Sequence, residues 1–141
     1  MQADATRPLP FSRSFSTVFV DAPCSGLGTL RRDPDIRWRR TAEDLPALAD
    51  TQQTMLRNAS EVVRPGGRLV YATCSSEPEE NEHVARAFLA EHPDFQLLPA
   101  RTAHPGLAPE LMDADGFLRT EPDRHGLELF FGATFERSRN L

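Results

Sequence analysis

The apolar positions of this chain fall into short runs separated by helix-spaced stripes. "STVFVD" (16–21) is β-branched and aromatic, bounded by Ser and by Ala-Pro, which predicts a buried strand. "RLVYAT" (68–73) follows the breaker "RPGG" (64–67) and predicts a second. Between them Leu45, Leu48, Ala49, Gln52, Met55, Leu56, Ala59, Val62 and Val63 recur at three- and four-residue steps, with one polar position among them. That spacing predicts a helix. Thr41 with Asp44 resembles a capping pair at its start, and Gly66 suits its end. A strand, a long helix and a strand make a βαβ unit with parallel strands and a right-handed crossover.

A second helix is expected next, with Ser75 or Ser76 as its cap and Pro78 in its first turn. Glu79, Glu80 and Glu82 would lie at its positive end, and Val84, Ala87 and Phe88 would form its apolar stripe. All but one of those glutamates read as ordinary first-turn residues. "FQLLP" (95–99) suits a third strand, 100–116 reads as loop, and "LELFFGATFER" (127–137) reads as the last strand. The class is α/β, an open doubly wound sheet. Such a sheet usually opens on a Gly-rich turn for a nucleotide. The chain has no GxGxxG and no Walker motif, and "GLGTLR" (26–31) lacks the spacing.

Composition narrows the picture. The chain has 141 residues, 39% of them hydrophobic, enough for one domain or part of one with a real core. Its apolar runs are too short to span a bilayer, and no export signal opens it, so a cytoplasmic location is expected. The net charge of −5 argues against the whole chain being a polyanion binder. The basic residues are all Arg, and five of them crowd "RRDPDIRWRR" (31–40) around Trp38. A charge run is usually solvated surface. Here it directly follows a cysteine loop, so Arg31, Arg32, Arg39 and Arg40 are candidates to clamp phosphates. Asp35 and Arg37 suit a pair within the loop, and Trp38 suits packing.

The two cysteines, Cys24 and Cys74, each stand just past a strand-like run. A parallel pair of strands would bring both to one carboxyl edge, where α/β sheets bind ligands, together with Asp21. A lone cysteine is most often a small buried hydrophobe, and two on one edge also permit a disulfide. Zinc lacks ligand spacing from His83, His92, His104 or His125. A phosphatase loop from Cys24 to Arg31 is one residue too long, and a Cys–His hydrolase needs a His that only the fold could supply. Covalent catalysis on an electrophilic ring remains, in which one thiolate adds and a second group assists proton loss. A helix N-terminus soon after Cys74 would lower its thiol pKa.

"DAPCSGLGTLRRDPDIRWRR" and "LVYATCSSEPEENE" carry a resemblance. Both resemble motifs of the Sun family of RNA cytosine-5 methyltransferases, of the bacterial small-subunit ribosomal RNA type, and "DATRPLPF" (4–11) is similar to the segment upstream of them. The resemblance implies that Cys74 attacks carbon 6 of cytosine, activating carbon 5 for a methyl group from S-adenosylmethionine. Cys24 would assist loss of the carbon-5 proton and release of the enzyme. Asp21 would hold the cytosine edge, Pro23 would offer its carbonyl to the cytosine amino group, and Asp4 and Asp21 would lie on the cofactor side. The expected partner is RNA, with neither DNA nor a membrane. In the family, Asp-Gly precedes a Phe-Phe pair in the last strand, whereas Glu128 and Leu129 stand there in this chain. The family also carries a Gly-rich cofactor loop and two strands upstream, so residues 1–141 are expected to form the C-terminal part of one catalytic domain, partnered by the N-terminal half. The alternative is an inactive fragment with weak RNA affinity.

Overall fold

The computed structural model describes residues 1–27 and 43–140. Strand β1 (Phe15–Asp21) leads to helix α1 (Asp44–Ser60), and strand β2 (Val63–Thr73) to helix α2 (Glu82–Glu91). Strand β3 (Phe95–Leu98), the short helix α3 (Ala100–Ala103), strand β4 (Leu118–Thr120), the short helix α4 (Pro122–His125) and strand β5 (Phe130–Arg137) complete the order. The sheet runs β1-β2-β5-β3, with β4 also paired to β5. β1 and β2 are parallel, as the crossover requires, and β5 runs antiparallel to β2, β3 and β4. This is the expected α/β class, with parallel strands and an antiparallel C-terminal strand.

The period-2 pattern of β2 points Leu69, Tyr71 and Thr73 inward, all at or near full burial. Leu56 and Ala59 from α1 and Val84, Ala85 and Phe88 from α2 join them in one core, closed by Phe131, Ala133 and Phe135 of β5. Phe88 lies 4.9 Å from Phe135 and Phe131 lies 5.0 Å from Phe117, centroid to centroid. Both long helices pack on this face of the sheet. Among the described residues β1 has a single sheet neighbour, so its outer edge is open.

Several boundaries differ from the sequence expectation. Helix α1 stops at Ser60, and Glu61 rather than Gly66 is its C-cap. The nearly buried Arg137 replaces a glycine cap: its Nη1 donates to the Ser60 and Val63 carbonyls, each at 2.9 Å, while Nη2 meets Asp94 at 2.8 Å. Gly66, at φ +74, and Gly67 instead form a bulge inside β2, where the register jumps from Phe15↔Val63 to Thr17↔Arg68. A Cβ on Gly67 would meet the Arg64 carbonyl at 2.9 Å. At the start of α1, Glu43 is the N-cap, and Thr41 lies outside the described residues.

Helix α2 begins at Glu82, later than expected. Neither Ser75 nor Ser76 caps it, because residues 77–81 form turns whose polar groups serve the site below. The segment 100–116 holds α3 and the turn Pro109–Leu111 rather than loop alone, β4 went unread, and β5 starts at Phe130. β4 is three residues long, too short for a periodicity to register.

Candidate active site at the carboxyl edge of the parallel strands

β1 and β2 end side by side. Asp21 stands opposite Ala72, and the Ala22 N–H donates to the Ala72 carbonyl at 3.1 Å. Continuing at nearly the same offset, the two following loops stay paired. Cys24 Sγ and Cys74 Sγ lie 3.2 Å apart as free thiols, and Ser25 Oγ lies 3.3 Å from Ser75 Oγ. The parallel register therefore turns two segments separated by fifty residues into one site.

Beneath the sulfurs is a buried polar network. Glu80 is fully buried and accepts from the Ser25 N–H at 2.7 Å, Ser25 Oγ at 2.7 Å and Gln52 Nε2 at 3.1 Å, and also from Ser75 Oγ. Gln52, likewise fully buried, also donates to the Pro23 carbonyl at 3.0 Å. Tyr71 Oη donates to the Glu80 carbonyl at 2.5 Å. Asn81 donates to the Ser75 carbonyl at 2.8 Å and accepts from Thr73 Oγ1 at 2.5 Å. A buried carboxylate left without donors is costly, and this one has four.

The thiols ionise as a pair. Cys24 is lowered to about 7, chiefly because Cys74 donates to its thiolate, and backbone N–H groups of Cys74 and Gly26 add to this against burial and the charge of Glu80. Cys74 is pushed well up, first by its hydrogen bond to Cys24, then by burial and by the charges of Cys24 and Asp21. The first proton thus leaves easily and the second is held. The helix expected to lower Cys74 does not flank it, since α2 starts eight residues later.

Of the residues singled out from sequence, the structure gathers Cys24 and Cys74 and places the Pro23 carbonyl beside them. Asp21 is exposed at the strand end, close enough for its charge to be felt at Cys74. Asp4 lies apart from the thiol network, on an exposed turn. Its carboxylate accepts from Thr6 N–H at 2.9 Å and Thr6 Oγ1 at 2.6 Å, which holds it below the usual carboxylate range. That turn is tied to α1 by Asn58, which donates to the Ala5 carbonyl at 2.9 Å. Arg31, Arg32, Arg39 and Arg40, with Asp35, Arg37 and Trp38, lie outside the described residues.

Sequence reasoning missed Gln52, Ser25, Ser75 and Asn81, and left open which glutamate stood out. That residue is Glu80; Glu82 instead meets Arg119 at 2.9 Å. One signal was available: each cysteine is followed by a serine, and the serines pair as the cysteines do. Gln52 was visible as the polar residue within an apolar stripe. Just before β5, Leu129 is half-buried, and Glu128 has a buried carboxylate oxygen without a partner among the described residues.

An S-adenosylmethionine-like ligand carries hydroxyl and amine donors, and the exposed carboxylate of Asp21 at this edge, without a partner among the described residues, is of the type that receives them. The donor set fits part of such a ligand. Among the described residues no group of three or more His, Cys, Asp or Glu could hold a metal ion.

The paired cysteine loops lie at the carboxyl edge of two parallel strands, where α/β sheets bind their ligands. Residues 1–136 match the family described as "16S rRNA methyltransferase RsmB/F", and the chain belongs to that family. It is 45% identical over 105 residues to ribosomal RNA small subunit methyltransferase B of Vibrio cholerae, covering 73% of this chain and 24% of that protein. With the Thermus thermophilus protein of the same name it is 40% identical over 134 residues, covering 95% of this chain and 32% of that protein. Among solved structures it resembles PH0851 at a TM-score of 0.83 and 36% identity, over 96% of this chain and 30% of that one. It also resembles NSun6 of Pyrococcus horikoshii, solved with SFG, at a TM-score of 0.76 and 26% identity, over 97% of this chain and 34% of that one. The chain thus spans about a quarter to a third of the length of these relatives.

Proposed function

We propose that this chain is the cysteine-bearing part of a catalytic domain that transfers a methyl group from S-adenosylmethionine to carbon 5 of cytosine in ribosomal RNA, in the cytoplasm. The observation that carries the reading is the thiol pair, 3.2 Å apart at the carboxyl edge of two parallel strands, in a chain of this family. Aromatic cytosine is a poor carbon nucleophile, and covalent addition divides one hard step into easier ones. Cys74 adds to carbon 6 as the thiolate, its proton passing to Cys24. Asp21 holds the cytosine edge and steadies the proton that ring nitrogen 3 takes from solvent as the thiolate adds and gives back on elimination, and the Pro23 carbonyl accepts from the exocyclic amine. S-adenosylmethionine, when bound, supplies the methyl group. Once Cys24 has returned its proton to solvent, it assists loss of the carbon-5 proton, and elimination expels Cys74. Asp4 and Asp21 are assigned to the cofactor side, and Arg31, Arg32, Arg39 and Arg40 to the RNA backbone.

The expected companion is the half of the domain that carries the cofactor loop. An observation supports it: Phe11, Phe15 and Phe19, respectively 40%, 40% and 63% exposed, line an apolar groove of ≈ 300 Å³ with Leu9, Val18 and Val62 along the open edge of β1. Exposed apolar surface beside an unpaired strand invites another strand or layer. The same surface favours the second reading, a fragment that is inactive alone and binds RNA weakly. Supplied with the cofactor-binding part of the domain, S-adenosylmethionine and a small-subunit ribosomal RNA transcript, the chain should yield 5-methylcytidine by mass spectrometry. Cys74→Ala should lower the yield by more than about 10³-fold, and Cys24→Ala should accumulate a covalent RNA adduct on denaturing gels. An active Cys74→Ala variant would refute the assignment. Calorimetry separates the two readings: micromolar binding of S-adenosylmethionine by this chain alone would exclude the inert fragment.

A further inference from the structure

We infer that Glu80 and Gln52 are positioning residues that hold the two cysteine loops in register and aim the Pro23 carbonyl. The inference deepens the methyl-transfer reading and, for its consequence in catalysis, rests on it. Among the described residues Glu80 grips both loops at once: Ser25 belongs to the Cys24 loop and Ser75 to the Cys74 loop, and both hydroxyls donate to the same carboxylate oxygen, Oε2. The other oxygen, Oε1, takes the Ser25 N–H and the Gln52 amide. A carboxylate is an acceptor only, so four convergent donors suit it and suit no other side chain of its size.

Gln52 extends this grip to the turn before Cys24. It divides its two N–H donors between Glu80 Oε1 and the Pro23 carbonyl, while its own Oε1 has no partner among the described residues. A fully buried glutamine kept with an unsatisfied oxygen is there for its donors. A carbonyl has two acceptor positions. With one taken by Gln52, the direction of the other is set, which favours a base that presents an amine over one that presents a carbonyl. Tyr71, donating to the Glu80 carbonyl from the core face of β2, fixes the backbone that carries the carboxylate.

The test measures the thiol pair directly and needs no RNA. Cys24–Cys74 disulfide closure by the two-electron oxidant diamide, which is reduced to the hydrazine as the two thiols lose two protons and two electrons, reports how closely the sulfurs are held. Thiolate absorbance at 240 nm reports the first ionisation. Gln52→Met keeps volume and helix propensity and removes only the amide. Glu80→Gln puts an N–H₂ where donors converge. Both variants should close the disulfide at least about tenfold more slowly, because loop separation destroys effective concentration. In Glu80→Gln the ionisation midpoint should rise from about 7, since losing the Cys74 hydrogen bond outweighs losing the carboxylate's repulsion. A midpoint that falls would mean that Glu80 acts through charge alone, and closure within twofold of the parent rate would mean that it positions nothing. Either result overturns the inference. So does loss of the folded state in both variants, which would assign the network to stability. In the assembled methylation assay, Gln52→Met should lower kcat for cytosine with KM nearly unchanged. Thiol readouts that move as described while no version of the protein methylates RNA would uphold the positioning role and reject the methyl-transfer reading, so the two fail separately.

Discussion

The two ends of β1's surroundings are opposites. At its carboxyl end the loops after β1 and β2 bury Glu80, Asn81, Gln52 and Ser75 and satisfy nearly every polar group. Along its outer edge Phe15 and Phe19 face open space and the strand has one neighbour among the described residues. Both lie on the same seven-residue strand. The thiol network is thus closed by side chains of this chain, whereas the flank is left uncovered by the described residues.

Breaking the finished side should be expensive. Phe131→Ala empties a fully buried position packed on Tyr71 and Phe117. It should cost about 3–5 kcal/mol by chemical denaturation, and a loss below 1 kcal/mol would show that the sheet does not depend on that contact. Ser75→Ala removes one of the four donors to buried Glu80. A cost of about 1–3 kcal/mol is expected, larger than for an exposed serine. The open side should behave differently. Phe19→Asp should change unfolding stability by no more than about 0.5 kcal/mol, since the ring is 63% exposed. It should nonetheless reduce self-association in sedimentation velocity, because a charge on an open edge opposes strand pairing. Equal stability losses on the two sides would erase the contrast.

The pH dependence sharpens the same point. The folded state lowers the Cys24 thiol to about 7, against an ordinary value near 8.5. A group depressed on folding contributes stability above its unfolded pKa and loses it as pH falls through its folded pKa. The Cys24 contribution should therefore be full above about pH 8.5 and fade between there and about pH 7. Alkylation by iodoacetamide should follow the same midpoint, and Cys74→Ala should move it upward by removing the donor. A midpoint that stayed near 7 in that variant would show that the second thiol is not the cause.

Much of this was legible from local patterns. β1, the long helix and β2 follow from alternation and three- and four-residue spacing, and their order alone implies a parallel pair. From that pairing Asp21, Cys24 and Cys74 share an edge. The helix ends were not legible. Gly66 looked like a cap, but Arg137, seventy-seven residues beyond Ser60, takes the carbonyl, and the glycines serve a bulge. Likewise the charged run "EPEENE" reads as a first turn with one unspecified glutamate set apart, and only the fold shows that Glu80 and Asn81 within it are fully buried.

The sequence by itself determined the strands, the long crossover and the edge that the two cysteines share, because periodicity and chain handedness are local properties. Tertiary structure alone decided that the sulfurs sit 3.2 Å apart, that one carboxylate holds both loops, and that Cys24 rather than Cys74 is the easier thiol to ionise. Those depend on register, burial and the sum of neighbouring charges, which exist only once distant segments meet.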